Sequence, residues 1–280
     1  MRLFLLCFYF YSVMAFATVK IVAAENFYGD VAKTIGGPYV EVVNILNHPD
    51  QDPHLFSVSP LTVKMIQGAD LIIYNGANYD PWMDSLLSDE TMLPKKIIVA
   101  AKLLKINTSQ NPHIWYWPET MLLVATQIAA HLNAMDPLHQ PYYQHALAEF
   151  KMQYQVLFKM IKTMHDRYNQ VPVIATEPIF NYMAAAIGLK MQAIPFQENV
   201  MNDVTPSISE ITAFENDLRQ RTVRVFIYNK QVDNPLTKRL LSIANNEKIP
   251  VLGVTETLPL NRHYISWMVQ QLTDLNQRLL

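Results

Sequence analysis

Cysteine is almost missing: the 280-residue chain has one, Cys7, inside the N-terminal leader. The mature chain is therefore expected to have none, which excludes disulfides and thiolate metal sites. Charge is scarce as well, 16% of residues with a net of −2. With no basic run and no interleaving of basic and aromatic residues, nucleic acid has no electrostatic foothold. Long apolar runs are lacking: Leu3 to Met14 falls short of the roughly 20 residues that a membrane span requires, and nothing later approaches that length. Motifs of hydrolytic chemistry are missing too, with no His-Glu-x-x-His, no nucleophile elbow and no second metal cluster.

What is present begins with that apolar run. Met1-Arg2 supplies a positive start and Ala15-Phe16-Ala17 a small-x-small cleavage site, so residues 1–17 read as a secretory signal peptide. No cysteine stands at the cleavage point to carry a lipid. Free export to a periplasm, without a membrane anchor, is the expectation. The 50% hydrophobic content suffices for one large or two medium domains.

From Val19 onward, strand and helix patterns alternate. Val19 to Ala24, Val40 to Leu46, Leu71 to Tyr74 and Ile97 to Ala101 read as buried strands. After a break they are followed by Val171 to Ala175, Met191 to Ile194, Val223 to Tyr228 and Pro250 to Val254. Alternation of this kind implies parallel sheets covered on both faces. The break is one long helix between Pro141 and Gln170. Tyr143, Leu147, Phe150, Tyr154, Leu157, Ile161, Met164 and Tyr168 recur along it at alternating four- and three-residue steps. It would span roughly 45 Å at 1.5 Å per residue. The stripe is seam-like, which admits a coiled-coil dimer, yet it lasts only about four heptads without a clear flanking charge pattern; a monomer is expected. Ser207 and Glu210 form a capping box that starts a helix through Arg219, and a terminal helix covers Tyr264 to Leu280. The expected organisation is an α/β fold of two parallel-sheet lobes, residues 18–135 and 171–280, joined by a linking helix at 136–170. The cleft between the lobes is the natural ligand site.

Four turns at strand ends carry metal-ligand chemistry. His54 sits in Asp52-Pro53-His54 and His113 in Asn111-Pro112-His113-Ile114-Trp115, each stiffened by the preceding proline. Glu177, in Thr176-Glu177-Pro178, and Glu256, in Thr255-Glu256, follow strands of the second lobe. Two nitrogen and two oxygen donors, two from each lobe, suit a divalent transition metal. Glu25, after the first strand, is a candidate for orienting a histidine ligand. The other histidines, 48, 131, 139, 145, 165 and 263, read as surface or strut residues.

These turns, the strut helix and the signal peptide resemble the metal-binding receptors of bacterial zinc and manganese ABC importers. Gly36-Gly37, Ala69-Asp70-Leu71-Ile72 and Pro206-Ser207 support the resemblance, which covers essentially the whole mature chain. It implies a C-clamp holding one metal ion in the interdomain cleft, Zn2+ or Mn2+ with Fe2+ also compatible, for delivery to a membrane permease. It places the ligands at His54, His113, Glu177 and Glu256. Two departures stand out: the fourth ligand of the family is usually an aspartate, and Lys105 to Gln110 lacks the histidine-rich run of many zinc-type members. The competing class is a secreted metallohydrolase, which would keep three protein ligands and a water. A receptor for an organic chelate would want a basic or aromatic cleft and no protein-metal bonds.

Overall fold

The computed structural model describes residues 18–48, 56–88 and 96–280. The signal peptide and His54 lie outside the described residues. In the first half, β1 (Val19–Glu25), α1 (Asn26–Gly36), β2 (Val40–Leu46), α2 (Pro60–Gly68), β3 (Leu71–Tyr74), α3 (Pro81–Leu87), β4 (Lys96–Val99), α4 (Ala100–Leu103) and α5 (Thr120–Met135) follow one another. The strut α6 (Gln140–Tyr168) comes next. The second half is β5 (Pro172–Ala175), α7 (Asn181–Ile187), β6 (Lys190–Gln192), α8 (Ile194–Met201), α9 (Ile208–Arg219), β7 (Val225–Asn229), α10 (Pro235–Asn246), β8 (Val251–Val254) and α11 (Tyr264–Leu279).

Each half builds a parallel four-stranded sheet, in the orders β2-β1-β3-β4 and β6-β5-β7-β8. The chain leaves β1 toward one edge and returns on the other side, so a topological switch point lies between β1 and β3. The second sheet repeats this between β5 and β7. At such points the loops diverge and open a crevice beyond the carboxyl ends of the strands.

Alternation along the strands divides the core. Ile21, Ala23, Leu71 and Ile73 face inward with Val173, Ala175, Val225 and Ile227 into one continuous apolar body. Tyr143, Phe150, Tyr154, Leu157, Ile161, Met164 and Tyr168 of the strut complete that body, packed against α1, α5, α7 and α11. The strut's apolar stripe is thus consumed within the chain. The outer faces form two smaller cores, one around Val22, Ile72 and Ile66, the other around Ile174, Phe226 and Phe214.

Helix ends are well specified. Ser59 caps α2 with Thr62 in a reciprocal box, and Ser207 caps α9 with Glu210 in another. Gly188 ends α7 at φ 78°, where an added Cβ would come within 2.5 Å of the Asn169 side chain. Strand ends differ by a few residues from the apolar pattern. Val99 is the last residue of β4 because its partner β3 runs out at Tyr74, and Ala100 then opens a helix. Ile194 starts α8 rather than ending β6, since Ala193 turns the backbone to φ 54°. Asn229, beyond the apolar run, is the last paired residue of β7.

Candidate metal centre

His113 is presented by a turn whose atoms are individually held. Asn111 Oδ1 accepts hydrogen bonds from the His113 backbone N–H at 3.1 Å and from Nδ1 at 2.6 Å. Because the acceptor is an amide oxygen, Nδ1 carries the proton and Nε2 keeps the lone pair a metal would need. The Pro112 carbonyl accepts a bond from Asn75 Nδ2 at 2.9 Å, which pins the turn to the end of β3. The imidazole is buried, edge-on to Tyr79 and Trp115. The sequence places Pro112 in the turn and the structure shows its carbonyl as the anchor.

Glu256 follows β8 and is also buried. Its backbone N–H donates to Gln231 Oε1 at 2.5 Å. Oε2 accepts from the Tyr79 hydroxyl at 3.1 Å and stands 3.9 Å from His113 Nε2, across the boundary between the lobes. Oε1 accepts from Asn229 Nδ2 at 2.7 Å, and the same Nδ2 donates to Glu177 Oε2 at 3.1 Å. The topology explains this bridge. β7 lies between β5 and β8, so its last residue sits between the turns that carry the two glutamates.

The structure therefore brings His113 and Glu256 together and joins Glu177 to Glu256 through one amide. Among the described residues, no three imidazoles, thiols or carboxyls converge as a metal-holding group by themselves; the fourth candidate, His54, falls outside them. The donor chemistry fits a divalent ion: a neutral imidazole nitrogen and two carboxylates in a nearly dry crevice. His139 and His263 are engaged elsewhere, with Asp136 and Asp30, and His145 and His165 lie on the strut beside Glu149 and Asp166.

Tyr79, Asn229 and Gln231 are the side chains that sequence reasoning missed. Tyr79 and Glu256 are 177 residues apart in sequence, so nothing local announces their contact. Asn229 carried one signal: a polar residue closing a buried apolar strand.

The two turns of the crevice are clasped to each other. Asn111 Nδ2 donates to the Pro178 carbonyl at 2.7 Å, and the Tyr182 hydroxyl donates to the Asn111 carbonyl at 2.8 Å. On the other side, Asn26 exchanges two bonds with the backbone of Leu258, at 2.8 and 2.9 Å. The Tyr116 hydroxyl donates to the Thr255 carbonyl at 2.9 Å. The loop carrying Glu256 is thus tied to the first lobe at several points.

Glu25, at the end of β1, is fully buried. Burial and the neighbouring charge of Asp80 push its carboxyl well above the usual range. Asp80, accepting from the backbone N–H groups of Asn75 and Gly76 at 2.7 and 2.8 Å, is itself pushed up to about 7 by burial.

Two sheets with crevices at their switch points, one strut helix between them and donors facing each other across the gap define a two-lobed solute-binding receptor. The family described as zinc-uptake complex component A, periplasmic, matches residues 21–278. The chain belongs to that family, and it is a substrate-binding component of a metal importer, not an enzyme. It is 26% identical over 253 residues to the manganese ABC transporter substrate-binding lipoprotein PsaA of Streptococcus mitis, with 83% of this chain and 78% of that protein covered. It is also 26% identical over 251 residues to the metal ABC transporter substrate-binding lipoprotein FimA of Streptococcus parasanguinis, with 83% and 78% covered. The fold is shared with the periplasmic zinc binding protein TroA from Treponema pallidum, at TM-score 0.78 and 15% identity over 94% of this chain and 99% of that one. It is shared as well with the Mn-bound periplasmic metal binding protein from Candidatus Liberibacter asiaticus, at TM-score 0.74 and 18% identity over 94% and 100%.

Proposed function

We propose that this receptor takes up one divalent transition-metal ion, Zn2+ or Mn2+ with Fe2+ compatible with the same donors, through His54, His113, Glu177 and Glu256, and releases it to its importer's permease. The observation that carries the reading is the approach of His113 Nε2 to the Glu256 carboxylate, 3.9 Å across the lobe boundary. Two such groups, both nearly dry, are costly to keep together without a cation to share. The lobes are read as residues 18–135 and 171–280, with 136–170 as the link. The protein is read as a monomer released into the periplasm after removal of residues 1–17. The lipoprotein names of the streptococcal relatives make an anchor the alternative to free export.

The test is metal content. Metal-free protein loaded with Zn2+ or Mn2+ and desalted is expected to retain about one ion per chain by mass spectrometry, and His113→Ala and Glu256→Ala each to lose it. Unchanged retention in both variants, folded by circular dichroism, would remove these residues from the site. Affinity is expected to weaken in acid, because coordination needs a neutral imidazole and ionised carboxylates.

A further inference from the structure

One side chain holds both a proposed ligand and the turn that carries another. Asn111 Oδ1 accepts from the His113 backbone N–H at 3.1 Å and from its Nδ1 at 2.6 Å. Asn111 Nδ2 donates to the Pro178 carbonyl at 2.7 Å, in the turn of Glu177 on the other lobe. The amide cannot be reversed. A flip would set Nδ2 against the His113 backbone N–H and Oδ1 against the Pro178 carbonyl, two mismatches with groups that do not titrate. A carboxylate at this position could accept but not donate, and would set its charge against that carbonyl. Of acid and amide, only the amide meets both demands.

The oxygen decides where the neutral imidazole carries its proton. Nε2, the competing position, stands 3.9 Å from Glu256 Oε2. An N–H there would turn toward the carboxylate and fill the place of an ion, so that the two ligands paired with each other. The nitrogen decides how closely the turns of His113 and Glu177 approach. Tyr182 backs it: its hydroxyl donates to the Asn111 carbonyl at 2.8 Å, and its ring stacks on Trp117 at 4.9 Å. We propose that Asn111 is a positioning residue that serves both sides of the crevice at once. Its oxygen keeps Nε2 of His113 open for an ion, and its nitrogen keeps the Glu177 turn within reach of the same ion. The inference rests on the ligand set proposed above.

Two measurements on metal-free protein test it. Long-range nitrogen-15 NMR at about pH 8, where a histidine is ordinarily neutral, is expected to show the His113 proton on Nδ1 in wild type and in Asn111→Asp, and on Nε2 in Asn111→Ala. The signal absent from His113→Gln assigns the ring. Spin labels on Ser85→Cys and Thr212→Cys, exposed positions of α3 and α9, read the spacing of the lobes. The labels meet no competing thiol after processing, since Cys7 is the chain's one cysteine. The distance distribution is expected to be narrow in wild type and broader in both Asn111 variants. Tyr182→Phe should fall in between, with its imidazole unchanged. Asn111→Ala is also expected to bind Zn2+ about tenfold or more weakly, in the range of other residues that orient metal ligands. A wild-type imidazole protonated at Nε2 overturns the inference even where a variant fails to fold. So does a folded Asn111→Asp as narrow as wild type, or a folded Asn111→Ala with its proton still on Nδ1. A wild-type protein that retains no Zn2+ overturns the ligand set instead, and the NMR result, made without metal, tells the two failures apart.

Discussion

The two lobes place an asparagine at the same point of the same topology and use it for different ends. In the first lobe Asn75 follows β3, the strand beside the switch point; in the second, Asn229 closes β7 at the corresponding place. Asn75 accepts from the Tyr28 hydroxyl at 2.7 Å and donates to the backbone carbonyls of Gly76 and Pro112. It is wholly buried, its side chain is satisfied by neutral groups, and it fixes a turn. Asn229 donates to two acids that carry charge when ionised. The same contrast extends to the carboxyl groups. Glu25 and Asp80 of the first lobe are wholly buried, whereas Glu177 and Glu256 share the Asn229 amide and Glu256 faces His113. The same strand end thus holds the turn of His113 in the first lobe and bridges two glutamates in the second.

The comparison can be broken most forcefully at Asn75. Asn75→Ala leaves the Tyr28 hydroxyl and the Pro112 carbonyl without their buried partner, and should cost about 2–4 kcal/mol in urea unfolding. It should leave metal retention by the folded protein in place, unlike substitution at His113. A variant that keeps full stability but loses the metal would overturn the role assigned to Asn75.

A smaller effect concerns pH. Both members of the Glu25–Asp80 pair have folded values above their unfolded ones, so the folded state holds more protons than the unfolded state between about pH 4 and the folded values. Their contribution to stability is therefore present at low pH and lost as pH rises through the folded values, about 7 for Asp80. Glu25→Gln keeps a hydrogen-bonding group without the titration. It should flatten the fall in the urea midpoint of metal-free protein between about pH 5 and about pH 8. Metal affinity should move the opposite way with pH, so an equal slope in wild type and variant would free the first lobe's pair from any part in it.

The least effect is expected where the lobes are most alike. Ser59→Ala and Ser207→Ala each remove one capping-box acceptor, to Thr62 N–H at 3.1 Å and Glu210 N–H at 3.2 Å. Each should cost about 1 kcal/mol in thermal or urea unfolding. A much larger loss in one lobe would show that its helix start supports the crevice as well as the helix.

Much of this architecture is legible in the chain. Eight apolar runs rich in β-branched residues, the strut's stripe and the Ser207 capping box announce themselves locally, because period and capping are properties of neighbouring residues. The strand ends at Val99 and Asn229 are set by where a partner strand stops, which local pattern does not contain. His113, Glu177 and Glu256 are legible as polar residues in turns after apolar strands. Tyr79, Gln231 and the double donation from Asn229 are not, since each depends on elements that only the folded sheet order brings side by side.

The clasp between Asn26 and Leu258 has a mechanical consequence. With Tyr79 on Glu256, Tyr116 on Thr255 and Asp30 on the Tyr264 backbone, the segment after β8 is riveted to the opposite half of the molecule. The turn carrying Glu177 is fastened to that half too, through the bonds between Asn111, Pro178 and Tyr182. Both glutamates are thus moored to the lobe that presents His113, and parting the lobes would first have to break these uncharged tethers.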